Sequence, residues 1–353
     1  MPRWIDTLQH EAERALAPEV ADYYRVGAGA GISVAEAPAA WDAVRFRPHV
    51  LRDVTTVSTR VSVLGTDLAS PVLVASSTLQ MQAHPDGEVA MAAGTREAGS
   101  LLVVSSNAGR TFADVGRAGS PWWVQAYVLA DRDLTGEMLD AAVAAGARAV
   151  VLTVDTPVVG TKRWQGADVW DVVPVEHTMG NWARTGGRRD PNAKARDLTV
   201  ADIAWTAQRC GVPVVVKGVL RGDDARAAVD AGAAGVIVSN HGGRQLDQAV
   251  PTAVALPEVA DALAGTGAFV GVDGGIRSGA GVLAALCLGA HAVFLGRPAL
   301  WALTVGGPAG VTRLIGDLTA ELAEGMTLCG ATSVAELTRD LVAGGPDIPL
   351  THR

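Results

Sequence analysis

Cysteine is scarce in this sequence and poorly placed for chemistry. Only Cys210, Cys287 and Cys329 occur, far apart and within stretches of helical character. No pair has the spacing of a metal clip, and three scattered thiols make no disulfide framework. They read as small apolar packing residues in a reducing compartment, and no metal site is expected. A long basic run is also missing, and the formal net charge is −8, which argues against nucleic acid as a partner. No apolar run reaches the length of a membrane span. The opening Met1-Pro2-Arg3-Trp4-Ile5-Asp6 lacks the charged-then-apolar order of a signal peptide. A soluble cytoplasmic protein with no membrane partner is expected. Tyrosine is rare as well: two of the three, Tyr23 and Tyr24, are adjacent, and the third is Tyr127.

What is abundant is small and apolar. Of 353 residues, 49% are hydrophobic and 41 are glycine, enough for a full-sized core with many tight strand–helix joints. Residues 4 to about 28 have helical spacing, interrupted at Pro18, whereas 41–48 look irregular. Val57 to Leu64 alternates and turns at Gly65 into a short hairpin. From Pro71 a rhythm begins. Short apolar runs occur at 71–75, 101–104, 122–127, 149–154, 213–217, 235–239, 269–272 and 292–295. The stretches 86–98, 111–118, 131–145, 199–210, 222–231, 253–264 and 278–289 between them are helical in pattern. All-apolar strands alternating with helices predict a parallel sheet covered on both faces, and eight of them predict a (β/α)8 TIM barrel. An open doubly wound sheet is the alternative, but no Gly-x-Gly-x-x-Gly follows the first run. One domain is expected over 1–353: an N-terminal helical cap at 1–68, the barrel at 69–330 and a tail at 331–353. The segment 156–198 breaks the rhythm. It carries Trp164, Trp170 and Trp182 without periodicity and leaves from the fourth strand, so it is expected to be a lid over the active-site face.

A barrel of this kind carries its active site at the C-terminal strand ends. Each apolar run here ends in polar residues. The first is followed by Ser76, Ser77 and Thr78, and the second by Ser105. Gln125 and Tyr127 lie two apart on the third, Thr153 and Asp155 two apart on the fourth, and Ser239 and His241 two apart at the sixth, so each pair shares a face. The fifth ends in Lys217. Asp273-Gly274-Gly275-Ile276-Arg277 follows the seventh and Gly296-Arg297 the eighth, each before a helix. Glycine-rich turns at these two helix starts are the usual phosphate site of such a barrel, and Arg277 and Arg297 add charge. Lys217 then falls across the mouth from the phosphate, where a buried cation suits a ring that gains negative charge on reduction, as a flavin does. Asp155 would steady His241 as a base, and Tyr23, Tyr127 and Arg244 would hold a small carboxylate and its hydroxyl.

These residues resemble the FMN-dependent α-hydroxy-acid oxidases and dehydrogenases, the family of glycolate oxidase, lactate oxidase and mandelate dehydrogenase. The resemblance runs from Asp22-Tyr23-Tyr24 to about Cys329 and is most specific at Ser239-Asn240-His241-Gly242-Gly243-Arg244-Gln245-Leu246-Asp247. It implies FMN as cofactor and oxidation of an (S)-2-hydroxy acid to a 2-oxo acid. His241 would be the base, electrons would pass to flavin N5 as hydride or its equivalent, and oxygen or another acceptor would restore the cofactor. It further implies that Arg244 and Tyr23 bind the substrate carboxylate and Tyr127 the hydroxyl side, and that Lys217 lies by the flavin N1 and O2 edge. Ser105, Gln125, Thr153 and Ser239 would bind the isoalloxazine, Arg277, Gly296 and Arg297 the phosphate, and the backbone of Ser76, Ser77 and Thr78 would pass near N5. A homo-oligomer, often a tetramer, is implied too. The chain departs from the family at Ser76-Ser77-Thr78, where Pro-Thr-Ala is common, and at Gly160-Thr161-Lys162-Arg163, where the family places an active-site arginine. Counting puts Lys162 at that position with Arg163 beside it. These departures and the tryptophan-rich lid motivate a second reading, FMN-dependent oxidation of an amine or modified peptide, or isomerisation, on the same barrel. A flavin-free barrel that binds a phosphorylated metabolite is a third.

Overall fold

The computed structural model describes residues 3–163, 168–182 and 193–343. Trp164 of the expected lid and the last ten residues of the tail lie outside the described residues. Eight parallel strands close into a barrel: β1 Val72–Val74, β2 Leu102–Ser105, β3 Trp122–Ala126, β4 Val150–Thr153, β5 Val214–Val219, β6 Gly235–Val238, β7 Phe269–Asp273 and β8 Ala292–Leu295. Each is followed by a helix, from Gly87–Glu97 after β1 to Arg297–Cys329 after β8. The (β/α)8 architecture is the one the apolar rhythm predicts. Strands whose residues are buried on both faces can be apolar throughout, which is why eight short uninterrupted runs were readable.

The inward faces explain where the polar residues go. Leu73, Val103, Trp123, Val151, Val215 and Ile237 pack with Phe269 and Phe294 inside the barrel. Two residues further along the same faces lie Ser105, Gln125, Thr153, Lys217 and Ser239, and four beyond Phe269 lies Asp273. An apolar plug at the bottom thus becomes a polar layer at the top within one strand repeat. The plug is aromatic: the ring of Trp123 lies 5.9 Å from that of Phe269 and 6.1 Å from that of Phe294. Gly271 makes room for it, since a Cβ there would stand 2.6 Å from Phe294 and 3.0 Å from Phe269. Gly271→Ala is expected to destabilise the fold by about 1–3 kcal/mol through overpacking, read as a lower urea midpoint with an unchanged m-value.

The hairpin Val61–Val63 and Thr66–Leu68 adds Val63 and Leu68 to this inner core. The region before it contains helices α1 Trp4–Ala15 and α2 Pro18–Arg25, as the spacing predicts, and a third, α3 Ile32–Asp42, which it does not. α3 carries Pro38 and buries Ser33, Ala37, Ala40 and Trp41 on several sides, so no single apolar stripe announces it. It ends at Trp41-Asp42, inside the stretch expected to be irregular. The Trp41 indole donates to the Gly274 carbonyl at 2.7 Å, and a Cβ on Gly275 would meet the Ala37 backbone at 2.5 Å. The double glycine after β7 therefore serves close helix packing. The tail also does more than trail: Val342–Ala343 pairs with Arg45–Phe46.

The loop after β4 is not structureless in its described parts. It holds a helical turn at Val169–Val172 and a 3-10 turn at Val175–His177, both too short to leave a periodic signal. Trp182 is buried, its indole donating to the Ser106 carbonyl at 2.8 Å. Among the described residues, no helix is long and apolar enough to cross a membrane.

Candidate active site

A cavity of about 720 Å³ opens at the C-terminal ends of the strands. Its floor is the polar layer. The Ser105 hydroxyl donates to Gln125 Oε1 at 3.3 Å, and Gln125 Nε2 donates to Thr153 Oγ1 at 3.1 Å. Lys217 Nζ then donates to Ser239 Oγ at 2.9 Å and lies 3.4 Å from Asp273 Oδ2. The belt therefore crosses β2 to β7. Lys217 and Asp273 are both nearly inaccessible, at 6% and 9% side-chain exposure. Burial opposes the charge on Lys217, but the carboxylates of Asp273 and Asp155 outweigh it and hold its pKa above the ordinary lysine value. Ser76, Ser77 and Thr78 line the cavity beside this floor.

At the end of β6 the backbone turns so that His241 takes a φ of 57°, a left-handed conformation uncommon outside glycine. Ser239 Oγ accepts from the His241 backbone N–H at 3.0 Å and helps hold the turn. His241 Nδ1 lies 2.8 Å from Asp155 Oδ1, with side-chain exposures of 22% and 14%. Asp155 is in turn approached by Thr156 Oγ1 at 3.0 Å, which accepts from Gln245 Nε2 at 2.7 Å. Burial would raise the Asp155 pKa, but charge and hydrogen bonding from His241 overcome it and bring it to about 2. The His241 pKa is lowered, by burial first and by Lys217 second, against the pull of Asp155. A neutral imidazole results, with Nδ1–H donated to a carboxylate and the Nε2 lone pair left for a proton.

The glycine turns after β7 and β8 place two guanidinium groups at one end of the cavity. Arg297 donates to the carbonyls of Tyr24 at 2.6 Å and Gly242 at 2.8 Å. Arg277 donates to the Ile276 carbonyl at 2.8 Å and lies over the Trp301 ring. Among the described residues neither has a carboxylate at ion-pair distance. Burial depresses the pKa of Arg277 to about 10; burial and the neighbouring Arg244 and Arg277 depress that of Arg297 to about 9. Two desolvated cations without a counterion are the unsatisfied half of an anion site. Gly274, Gly275 and Gly296 line the same end.

Tyr23, Tyr127 and Arg244 also line the cavity. Arg244 Nη1 donates to the carbonyls of Tyr23 and Val26 at 2.6 and 2.8 Å, and its guanidinium lies 4.5 Å from the Tyr23 ring centroid. Burial, and then the Asp155 carboxylate, raises the Tyr127 phenol above its ordinary value, so its hydroxyl remains a donor. Of Lys162 and Arg163, only Lys162 lines the cavity; Arg163 is exposed. Lys162 is bridged in extended register to Ala28, and successive side chains of an extended chain point to opposite faces, so its neighbour is turned away. Asp155 and Ser239 do not line the cavity either, and act on it through His241 and Lys217. Two further contributors, Thr156 and Lys194, carry no sequence signal of a role. Thr156 looks like part of a turn, and Lys194 lies in an aperiodic, charged stretch.

The charge pattern fits flavin mononucleotide: paired arginines for a phosphate at one end, and a polar belt with an embedded lysine for an uncharged ring that gains charge on reduction. With the His–Asp pair at the mouth, this defines a flavin-dependent oxidoreductase on a (β/α)8 barrel. The chain belongs to the FMN-dependent dehydrogenase family, whose model matches residues 12–344. It is 38% identical to an L-lactate oxidase of a Nostoc species over 353 residues, 94% of this chain and 96% of that one. It is 36% identical to a glycolate oxidase of Spinacia oleracea, covering 96% and 95% of the two chains. A crystal structure of mandelate oxidase with (S)-2-phenylpropionate superposes with a TM-score of 0.87 at 36% identity, covering 96% and 97%.

Proposed function

We propose that this enzyme oxidises an (S)-2-hydroxy acid to the 2-oxo acid, with oxygen as electron acceptor. The observation that carries the reading is the His241–Asp155 contact of 2.8 Å beside Arg244, in a cavity also lined by Arg277 and Arg297, neither of which has a carboxylate at ion-pair distance among the described residues. FMN, when bound, supplies the two-electron acceptor for the substrate C2–H bond. Arg277, Arg297 and the adjoining glycines hold its phosphate, Ser105, Gln125, Thr153 and Lys217 meet its ring, and the backbone of Ser76, Ser77 and Thr78 flanks it. Arg244, Tyr23 and Lys162 bind the substrate carboxylate, and Tyr127 donates to the hydroxyl oxygen. His241 Nε2 takes the hydroxyl proton as the C=O bond forms, and Asp155 stabilises the imidazolium that results. Two electrons and two protons leave the substrate, one proton to His241 and the other with the electron pair. In this reading the described parts of the loop after β4, which line the cavity from Val159 to Lys194, act as a lid over the mouth of a single domain. A homo-oligomer, tetrameric by resemblance to the family, and a cytoplasmic setting belong to the same reading; three unbridged buried cysteines are in keeping with the latter.

Anaerobic mixing with a panel of 2-hydroxy acids tests the reading. Bleaching of the 450 nm band by at least one (S)-acid, followed by return of colour and peroxide on oxygen admission, is expected; no bleaching by any would overturn it. The pH dependence is also fixed in sign. His241 must be neutral to accept a proton, so kcat/KM rises through a limb whose midpoint lies below the ordinary histidine value. Lys162 must be protonated to bind carboxylate, and burial lowers its pKa to about 8, so for a monocarboxylic substrate kcat/KM falls again near that pH. Lys162→Arg is expected to move the descending limb upward, because a guanidinium stays charged there. A descending limb unchanged by that substitution would remove Lys162 from substrate binding.

A further inference from the structure

Lys194 is a cavity-lining cation to which the proposed reaction gives no role. It lines the cavity with its Nζ 3.8 Å from the Tyr127 ring centroid. Its backbone is fixed: Leu129 and Lys194 form an antiparallel bridge, Ala130 N–H donates to the Ala193 carbonyl at 2.7 Å and Ala195 N–H to the Val128 carbonyl at 2.9 Å. Lys162 is held separately, by its bridge to Ala28 and by the Gly29 N–H donated to the Thr161 carbonyl at 2.9 Å. The like charge of Lys194 adds to burial and Arg244 in lowering the Lys162 pKa. Among the described residues neither lysine has a carboxylate at ion-pair distance. Asp168, an acid of the same loop that lines the cavity, is engaged by the Trp170 N–H at 3.2 Å.

Lys162 has partial compensation, since its Nζ donates to the carbonyls of Gly160 and Arg244 at 2.7 and 3.0 Å. Among the described residues the Lys194 ammonium meets the ring face of Tyr127, and burial lowers its pKa to about 8 despite the pull of Asp155. A half-buried, under-compensated cation beside a substrate pocket gains from an anion there. The loop that carries Lys162 and Lys194 also lines the cavity with Val159, Trp170, Val173, Val175 and Met179, alongside Asp168 and Thr178. The apolar side chains among them suit a short hydrocarbon spacer between two anionic ends.

We infer that the substrate is a 2-hydroxy acid with a second, distal carboxylate, held by Lys194 above the Tyr127 ring while Arg244 and Lys162 hold the carboxylate next to the reacting carbon. The inference rests on the hydroxy-acid reading and narrows it. The test compares (S)-2-hydroxyglutarate with (S)-2-hydroxypentanoate, which share a five-carbon chain, as reductants of the holoenzyme. The dicarboxylate is expected to have a kcat/KM at least about 10-fold higher, the effect of one charge-assisted contact. Lys194→Met is expected to collapse that ratio towards one, and Lys194→Arg to preserve it. A ratio that Lys194→Met leaves unchanged, with both substrates slowed alike, would overturn the inference and leave Lys194 only a support for Tyr127. A preference of the wild type for the monocarboxylate would overturn it too while keeping the hydroxy-acid reading. Bleaching by neither acid, when another monocarboxylic hydroxy acid does bleach, overturns the inference alone; bleaching by no hydroxy acid at all overturns both.

Discussion

His241→Ala is expected to slow anaerobic reduction of the bound flavin by ~10²–10⁴-fold, the range a positioned base contributes. The size follows from the geometry. Nδ1 is committed to Asp155 at 2.8 Å, so Nε2 is the nitrogen that can accept a proton. His241 lines the cavity, and among the described residues no other histidine does. Tyr127 cannot replace it, because burial keeps its phenol protonated. Lys217 cannot either, because Asp273 and Asp155 keep it charged. The variant should retain yellow FMN, since the groups assigned to the cofactor are untouched, so stopped-flow bleaching reads the chemical step. Wild-type bleaching rates in His241→Ala would remove His241 as the base. Asp155 supplies a second readout. In the wild type its pKa of about 2 lies below the ordinary aspartate value, so the stabilisation it provides is complete above about pH 4 and fades as pH falls through 2. Without the imidazole the two largest lowering influences on Asp155 go, leaving those of Lys217 and Thr156, and the acid limb of stability is expected to move to higher pH.

The other large effect is expected at Lys217. Lys217→Met should destabilise the fold by about 3–5 kcal/mol, because it leaves Asp273 charged and unpaired in the floor of the cavity. Asp273 is 9% exposed, 3.4 Å from the lysine, and its Oδ1 already has no hydrogen-bond partner. Ser239 Oγ would lose a donor at the same time, although it would still accept from the His241 backbone. A urea titration at saturating FMN measures the loss. The double variant Lys217→Met with Asp273→Asn separates charge from packing: it should recover most of the stability, since no buried charge then remains unpaired. It should not recover flavin reduction, because the cation that stabilises a ring gaining negative charge is still absent. If Lys217→Met leaves the urea midpoint within experimental error, the ion pair is not what holds the floor together.

Much of this site is visible along the chain because barrel strands repeat every two residues. Once eight apolar runs are recognised, the residues two steps beyond their cores are known to point inward at the mouth. Gln125, Thr153, Lys217 and Ser239 fall there by that rule alone, and Asp273 one repeat further on. The arginine pair follows from another local feature, glycine turns at helix starts after the last two strands. Residues set by lateral neighbours follow no such rule. Lys162 and Arg163 are adjacent, and nothing local says which faces the cavity; a bridge to Ala28 decides it. Arg244 reads as a carboxylate clamp, but its distance to Tyr23 depends on α2 packing over the barrel mouth.

The sequence by itself determined the barrel and the strand ends on which the chemistry sits, because both rest on short-range periodicity, and its motifs carry the family resemblance that implies the cofactor. Tertiary structure alone decided what stands around the substrate. α3 is buried on several sides and so shows no stripe, Arg45–Phe46 finds its partner only at Val342–Ala343, and Lys194 reaches Tyr127 only because its strand bridges Leu129. These contacts join residues far apart in the chain. They exist only once closure of the barrel has brought its loops to one face, and no local pattern encodes that meeting.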